Sequence, residues 1–322
     1  MFPKYAGPGA GNKSIELTMK CYFITMHYEL HAQAAFKAIM KPTNWLVLLL
    51  GLSLGAIVKA DAAEPKVVAS IYPLHSLAAG VMAGVGTPIL LLESGLSPHD
   101  FALKPSQARL LQAADLVVWI GEGLEYPLVR FVENLSPERS LALTDQISTG
   151  EPNVHLWLDP VHAQLIVTAL VDRLSALDPQ HAARYSANGN ALYQRLDELT
   201  GELEMLLGPV RAVPYIVFHD AYGRFERRFG LAHRGAVTPD PERRPGARQV
   251  RRIRAAIVVI GAVCIFREPQ FNPRILSAIV EDRDIQVGEL DPLGAGLEPG
   301  VNGYFQLMRN LASEFVRCLS RQ

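Results

Sequence analysis

The sequence predicts an α/β protein with two lobes, each a mostly parallel β-sheet flanked by helices, joined by one long interlobe helix. Three observations indicate this class. From residue 64 onwards, short apolar runs alternate with amphipathic stretches, and the runs are continuous, as in parallel strands covered on both faces. A long helical pattern with charged faces interrupts the series, which then resumes. With 322 residues, 49% of them hydrophobic, the chain can fill two cores.

The first lobe is assigned to residues 64–180. Its predicted strands are "KVVASIY", "TPILLLES" and "DLVVWIG", and its first helices cover about 75–84 and Pro105–Ala114. The segment "NVHLWLDP" is predicted to hold a further short strand that contains His155. A helix follows near Pro160, because proline fits the first turn of a helix, where its missing N–H has no intrahelical partner.

The connecting helix and the second lobe continue the pattern. Residues 181–207 keep a helical period over 27 positions with charged faces, which predicts the connector. The second lobe is assigned to residues 208–322, with strands in "VPYIVFHD", "AVCIFREPQ" and "DIQVGELDPLG". Its helices are predicted at 221–229, 247–260, from Pro273 onwards, and at 302–320.

The first 63 residues are not expected to belong to either lobe. In residues 40–63, one lysine precedes an apolar run from Trp45 to Val58, and small residues follow the run, which is typical of a secretory signal peptide. An uncleaved membrane anchor is the alternative, and the lack of a stop-transfer pattern disfavours it. Residues 1–39 are interpreted as a leader that results from a start codon assigned too early. We therefore expect a periplasmic protein with no stable membrane insertion after cleavage.

Charge and cysteine content narrow the function further. The region after residue 63 has 25 basic and 29 acidic side chains, and its basic run at 241–254 lacks interleaved aromatic residues, so nucleic acid is not an expected partner. Of the cysteines Cys21, Cys264 and Cys318, only the last two follow the predicted cleavage site. A pair of cysteines in an oxidising compartment favours a disulfide over two buried thiols.

Polar side chains follow several predicted strands and form the candidate site. In open parallel sheets the strand ends meet at a crevice where ligands bind. Imidazole and carboxylate groups together suit zinc, manganese or iron, and three imidazoles favour zinc. The histidines that follow residue 63 show no local metal-binding spacing, so the site depends on the fold. The candidates, divided between the two lobes, are His99, His155, His219, Glu268 and Asp291.

Other polar residues near these positions have two interpretations. Asp100, Asp159 and Asp220 can accept the second imidazole N–H of a ligand, although Asp159 and Asp220 are equally suited to cap the helices that follow. Glu268 is expected to orient the site through a hydrogen bond rather than to bind metal. His75 is a candidate for the same supporting role, with a structural histidine as the favoured alternative.

The chain resembles the periplasmic metal-binding proteins of ABC importers, and most closely their zinc-binding branch. The resemblance rests on motifs in fixed order: "VVASIYPL", "SPHDFALKPSQ", "ADLVVWIG", "HLWLDP", "FHDAYGRFERRFGL", "TPDPERRPG", "CIFREPQF" and "ELDPLG", followed by Cys318. It implies that the metal ligands are His99, His155 and His219, with Asp291 as the fourth ligand found in many members. It also implies a Cys264–Cys318 disulfide.

Two departures from the family pattern limit what the resemblance implies. The segment "SLALTDQISTGEPN" lacks the long histidine-rich loop of many zinc-binding members. Pro98 stands where some members have a glutamate just before the first ligand histidine, so the fourth ligand is expected to be Asp291 or water. Pro98 also holds the loop extended and limits where His99 can point.

The function implied by the resemblance is high-affinity capture of Zn²⁺ in an interlobe cleft of a monomeric periplasmic protein. The ion would then pass to an inner-membrane ABC permease powered by an ATPase. A manganese-binding member of the same family is one alternative, although His219 stands where manganese-binding relatives carry glutamate. Surface adhesion is another, and a lipid-anchoring cysteine near the cleavage site is lacking. A zinc hydrolase is the third, but no HExxH motif is present, and we expect no enzyme.

Overall fold

The structure is a computed structural model that describes residues 64–93, 95–148, 150, 152–238, 246–270 and 274–320. The predicted leader, residues 1–39, and the predicted signal peptide, residues 40–63, lie outside these described residues. Among the helices of the described part, none combines the length and the apolar character needed to cross a membrane.

The N-terminal lobe contains a four-stranded parallel sheet with the order β2-β1-β3-β4. Its strands are β1 (Val67–Ala69), β2 (Ile89–Leu90), β3 (Leu116–Trp119) and β4 (Ser140–Ala142). Every residue of β1 and β3 is buried. The two central strands are therefore covered on both faces, which is why they appear in the sequence as continuous apolar runs.

Six helices flank this sheet and lead to the second lobe in the described part of the chain. They are α1 (Tyr72–Val81), α2 (Pro105–Ala113), α3 (Val129–Val132), α4 (Leu143–Gln146), α5 (Pro160–Leu177) and α6 (Ala182–Leu207). The start of α5 is as predicted. Its first residue is Pro160, and the Asp159 carboxylate caps it by accepting a hydrogen bond from the backbone N–H of Val161 at 2.9 Å.

The C-terminal lobe repeats the design with a second four-stranded parallel sheet, in the order β6-β5-β7-β8. Its strands are β5 (Tyr215–His219), β6 (His233–Thr238), β7 (Cys264–Arg267) and β8 (Gln286–Glu289). Its helices are α7 (Gly223–Phe229), α8 (Ala247–Ile260), α9 (Arg274–Val280) and α10 (Gly303–Leu319). The predicted fold class is thus confirmed in both lobes.

A disulfide fastens α10 to the centre of the second sheet. It joins Cys264, the first residue of β7, to Cys318 near the end of α10, as the sequence predicted. Gly288 on the neighbouring strand makes room for this contact. A Cβ atom at Gly288 would lie 2.5 Å from the Phe266 ring and 3.2 Å from the sulfur of Cys318, so a larger side chain would clash.

The predicted long interlobe helix is confirmed as α6, which has 26 residues. Its buried leucines recur every three or four residues, at Leu192, Leu196, Leu199, Leu203 and Leu207. This stripe belongs to one continuous hydrophobic core that includes side chains from both lobes. The helix contacts α1 and α5 of the N-terminal lobe and α10 of the C-terminal lobe. Both lobes therefore pack directly on α6, which limits how far they can move apart.

Some local predictions were wrong. His155 does not lie in a strand, because Leu156–Leu158 form a 3-10 turn in which the N–H of Leu158 donates to the His155 carbonyl at 3.2 Å. Strands β4 and β6 were not predicted, since β4 has only three residues and β6 is largely polar and partly exposed. Of the apolar run "TPILLLES", only Ile89–Leu90 pairs as a strand.

Candidate metal centre

Three histidines from separate parts of the chain converge. The ring centroids lie 5.6 Å apart for His99 and His155, 5.2 Å for His99 and His219, and 5.0 Å for His155 and His219. One ligand nitrogen from each residue lies within 4.8 Å of the other two. His99 and His155 come from the N-terminal lobe and His219 from the C-terminal lobe. The fold thus brings together the three imidazoles that the resemblance implied as ligands.

His219 is positioned by the second sheet. It is the last residue of β5, and Glu268 directly follows the neighbouring strand β7. The parallel register pairs Val217 with Phe266, two residues before His219 and Glu268 respectively, so both reach the same sheet edge. Nδ1 of His219 lies 3.2 Å and 3.5 Å from the two Glu268 oxygens, and both side chains are buried. With the carboxylate beside Nδ1, Nε2 is the nitrogen of His219 that would face a metal.

His155 is held by its own segment. Oδ1 of Asn153 accepts hydrogen bonds from the backbone N–H of His155 at 2.9 Å and from its Nδ1 at 3.1 Å. This contact places the ring proton on Nδ1 and leaves the lone pair of Nε2 for a metal. The ring is buried, and the Trp157 ring packs against it at 5.3 Å. His155 therefore presents the same nitrogen as His219, but its supporting partner is a neutral amide.

His99 lies in the loop that follows β2 and is half-buried. Its backbone N–H donates to the Ser97 hydroxyl at 3.3 Å, and Pro98 between them is buried. This short turn directs the imidazole towards the other two rings. Of the three candidate ligands, His99 is the most accessible to solvent, so it lies on the entrance side of the cluster.

Burial and neighbouring charged groups shift the pKa values of His155 and Glu268. Burial lowers the pKa of His155 well below its ordinary value of 6.5, and His219, His99 and Arg224 lower it further. Burial also raises the pKa of Glu268, while hydrogen bonds from His219 and Tyr222 oppose that rise. His155 is therefore neutral at neutral pH, as a metal ligand must be.

The cavity beside the three imidazoles is small. Its volume is about 10 Å³, roughly that of one water-sized sphere. Its polar lining includes Glu268 and Gln270 in addition to the imidazoles, and the apolar lining is Pro98, Trp157, Pro292 and Leu293. A space of this size suits a single ion.

Asp291, the predicted fourth ligand, lies near the cavity but outside the three-histidine group. Its Oδ1 accepts hydrogen bonds from the backbone N–H groups of Leu293 and Gly294, both at 3.0 Å, and from Nε2 of Gln270 at 3.1 Å. Its Oδ2 accepts a hydrogen bond from the backbone N–H of Ala295. In this arrangement Asp291 organises the turn after β8. Its role as a ligand stays a prediction.

The other predicted supporting residues lie apart from the metal cluster. His75 is buried in α1, where its Nε2 contacts the Pro88 carbonyl at 3.0 Å, an arrangement typical of a structural histidine. The Asp220 side chain is exposed, and it is the backbone carbonyl of Asp220 that accepts a hydrogen bond, from Asn153. Asp159 caps α5 and pairs with Arg228 at 2.8 Å. These roles hold the segments around the site in place.

Comparison with known proteins assigns this chain to a family. A family model described as ZnuA, zinc-uptake complex component A, periplasmic, matches residues 67–318. The chain belongs to this family. The high-affinity zinc uptake system protein ZnuA of Brucella suis biovar 1 (strain 1330) is 35% identical over 306 residues, covering 79% of this chain and 92% of the relative. The protein of the same name from Yersinia pestis is 34% identical over 294 residues, covering 80% and 92%.

Solved structures share the fold of this ZnuA family member. The periplasmic zinc binding protein TroA from Treponema pallidum has a TM-score of 0.73 at 22% identity, covering 80% of this chain and 100% of TroA. A crystal structure of ZnuA has a TM-score of 0.69 at 22% identity, covering 80% and 99%. The laminin-binding protein Lbp of Streptococcus pyogenes has a TM-score of 0.68 at 24% identity, covering 79% and 99%. At these identities the likeness shows the fold alone.

Two site residues of this ZnuA family member were not predicted from the sequence. Asn153 supports His155 from two positions earlier, a spacing at which asparagine commonly bonds to backbone N–H groups, so this signal was available. Gln270 lines the cavity, and no donor among the described residues reaches its buried Oε1. Its role depends on the contact with Asp291, which no local pattern indicates.

Proposed function

We propose that this protein binds one Zn²⁺ ion in the periplasm through His99, His155 and His219 and delivers it to a zinc uptake system. The observation that supports this most directly is the convergence of three ligand nitrogens within 4.8 Å, drawn from both lobes. Relatives at 34–35% identity bear the name high-affinity zinc uptake system protein. The delivery partner is an inner-membrane ABC permease with its ATPase, which the family resemblance implies.

The donor set favours zinc over manganese. Three imidazoles with space for one more donor suit the tetrahedral arrangement that Zn²⁺ prefers. Mn²⁺ prefers carboxylate, carbonyl and water oxygens in a six-coordinate shell. The second lobe contributes the imidazole of His219, and Glu268 supports that imidazole through Nδ1. We therefore infer that zinc is the cargo.

Transport rather than catalysis is the role that the cavity supports. A catalytic zinc site needs room for substrate beside the metal-bound water. The cavity volume of about 10 Å³ leaves room for little more than the ion itself. The Cys264–Cys318 disulfide fits an oxidising compartment and so agrees with the predicted export. The zinc would therefore be held as cargo, and we expect no hydrolysis of ester, peptide or β-lactam substrates by the loaded protein.

Metal titration of the exported protein tests this proposal. Competition with a chromophoric chelator should show one Zn²⁺ per chain and a much weaker response to Mn²⁺. Replacing His155 by alanine should weaken zinc binding strongly, whereas His181→Ala should not, because His181 hydrogen-bonds Asp178 instead. Manganese binding as tight as zinc binding, or tight zinc binding by His155→Ala, would contradict the proposal.

The fourth ligand is proposed to be Asp291, acting through Oδ2. From the described residues this oxygen accepts one hydrogen bond and Oδ1 accepts three, which favours Oδ2 as the metal-binding atom. Replacing Asp291 by asparagine should then weaken zinc binding and change the visible spectrum of the Co²⁺-loaded protein. If Gln270→Leu changes the spectrum and Asp291→Asn does not, the fourth ligand lies on the Gln270 side of the cavity.

A further inference from the structure

Asn153 contacts the ligand segments of both lobes with one amide group. Its Oδ1 accepts hydrogen bonds from the backbone N–H and from Nδ1 of His155, at 2.9 Å and 3.1 Å. Its Nδ2 donates to the carbonyl of Asp220 at 3.2 Å and to that of Ala221 at 3.4 Å. These carbonyls belong to the two residues that directly follow His219. A single side chain thus spans the gap between His155 in one lobe and the chain beside His219 in the other.

The partners determine which way this amide faces. On one side lies the backbone N–H of His155, which requires an acceptor, and on the other lie two carbonyl oxygens, which require a donor. If the amide oxygen and nitrogen were exchanged, the NH₂ group would face an N–H donor of His155 and the oxygen would face the two carbonyl oxygens. The orientation in which Oδ1 holds the ring of His155 is therefore the one in which Nδ2 holds the other lobe.

The backbone of Asn153 is held by the second lobe as well. Nε of Arg224, a buried residue of α7, donates to the Asn153 carbonyl at 2.8 Å, and its Nη2 donates to the same oxygen. A second contact lies farther along the same segment. There Arg228 forms a bidentate salt bridge with Asp159, with hydrogen bonds of 2.8 Å and 2.9 Å. The segment that carries His155 is thus anchored to α7 on both sides of this histidine.

We propose that Asn153 couples the zinc-binding orientation of His155 to closure of the two lobes, and so controls the rate of zinc release. The inference rests on the proposed zinc-binding function. When the lobes are closed, all four hydrogen bonds of the amide form and Nε2 of His155 points at the metal. When the second lobe moves away, Nδ2 loses its acceptors, the amide is free to rotate, and the imidazole loses the partner that fixed its tautomer. Asn153 is a positioning residue in this scheme.

Replacing Asn153 by aspartate separates the two ends of this contact. The carboxylate still accepts from both N–H groups of His155, but it faces the carbonyls of Asp220 and Ala221 with an acceptor. Coupling predicts that zinc leaves the variant about tenfold faster, measured by transfer to an excess of a fluorescent chelator. If Asn153 only supported His155 locally, the stronger acceptor would leave the release rate unchanged or slower, and the proposal would be overturned.

A matched control is available in α6. The amide of Asn188 donates to the carbonyls of Val81 and Ala83 at 2.8 Å and 2.9 Å, so Asn188→Asp makes the same change away from the histidines. Its release rate should match that of the wild type. Asn153→Ser, which keeps a short acceptor but cannot reach the other lobe, should also release zinc faster without adding charge. Equal rates for Asn153→Ser and wild type would count against the coupling.

Nitrogen-15 NMR of the imidazole provides a second readout. Asn153→Asp should keep the proton of His155 on Nδ1, whereas Asn153→Ala should give a mixture of tautomers, since the ring then has no acceptor at that position. A single tautomer in Asn153→Ala would show that Asn153 does not position the ring. If the wild-type protein binds no zinc, the proposed function fails, but the tautomer measurement on the metal-free protein still tests the role of Asn153.

Discussion

The two buried ligand histidines are supported in different ways by the two lobes. His219 ends a strand, and its partner Glu268 follows the adjacent strand of the same sheet. His155 lies in an irregular segment, and its partner Asn153 is two residues away in that segment. The support of His219 is thus a charged group on a rigid framework. The support of His155 is a neutral group that depends on a contact with the other lobe.

This difference indicates which side of the site moves. A carboxylate partner raises the basicity of an imidazole and strengthens its bond to a metal more than a neutral amide does. The second sheet is also fastened to α10 by the Cys264–Cys318 disulfide, and residues 64–180, which are predicted to form the N-terminal lobe, contain no cysteine. We expect His219 to act as the fixed ligand, and His99 and His155 to be the ligands that adjust as zinc enters and leaves.

The largest expected effect is the loss of His219. Four-ligand zinc sites bind with roughly 10–16 kcal/mol, or about 3–4 kcal/mol per ligand, so His219→Ala should weaken zinc binding by about 100- to 1,000-fold. His99→Ala should weaken it less, because water can replace this half-buried ligand at the entrance. Chelator competition measures both changes, with His181→Ala as the control. A greater loss from His99→Ala would reverse the ranking of the lobes.

Removing the disulfide tests the rigidity of the second lobe. Cys264 and Cys318 are 54 residues apart, and opening a loop of that size lowers the free energy of unfolding by about 4 kcal/mol in the chain-entropy model. The double variant Cys264→Ala/Cys318→Ala should therefore unfold at lower urea concentration than the wild type in the metal-free state. Reductant should destabilise the wild type and leave the double variant unchanged. Equal stabilities would show that packing alone fastens α10 to the sheet.

The positions of the site residues at the edge of the second sheet were predictable from the sequence. His219 and Glu268 follow continuous apolar runs, and parallel strands bring such positions to one edge, so periodicity alone placed both near the crevice. His99 also follows an apolar run, although only Ile89–Leu90 of it pairs. The choice of three histidines as ligands came from the family resemblance, because no local spacing distinguishes them.

The contacts between side chain and backbone were not predictable in this way. The turn around His155 is held by hydrogen bonds to the Asn153 side chain, and such bonds leave no trace in hydrophobic periodicity. The apolar letters of "HLWL" led to the prediction of a strand, whereas Trp157 is buried by the core and donates its indole N–H to the Pro292 carbonyl at 2.8 Å. Tertiary contacts of this kind override local propensity.

Neutralising Glu268 tests how much its negative charge, which the support of His155 lacks, contributes to zinc affinity. Glu268→Gln keeps the size of the side chain and removes the negative charge beside Nδ1 of His219. Loss of such a partner typically costs 10- to 100-fold in metal affinity, so zinc binding should weaken by about that factor. Glu289→Gln is the control, since Glu289 pairs with Arg267 at the surface. An unchanged affinity in Glu268→Gln would mean that the carboxylate does not strengthen the His219 ligand.

Acidification should protonate His155 and Glu268 in separate steps. The folded-state pKa of His155 lies below its ordinary 6.5, so this ligand stays neutral in the metal-free protein until the pH falls below that value. In the unfolded chain the same group takes up its proton near pH 6.5, so the metal-free protein loses stability as the pH falls through that value. The pKa of Glu268 is raised, so it is protonated at a higher pH than an exposed glutamate, and His219 then loses the negative charge of its partner.

Zinc affinity should therefore be nearly constant between about pH 8 and 7 and fall below about pH 6, by roughly tenfold per pH unit for each proton that displaces the metal. Calorimetric titration at several pH values measures this dependence. The Glu268→Gln variant should start from a lower affinity and lose less on acidification, because its support no longer titrates. Parallel curves for the variant and the wild type would show that protonation of the imidazoles alone expels the zinc. An affinity unchanged down to about pH 5 would contradict binding by histidines.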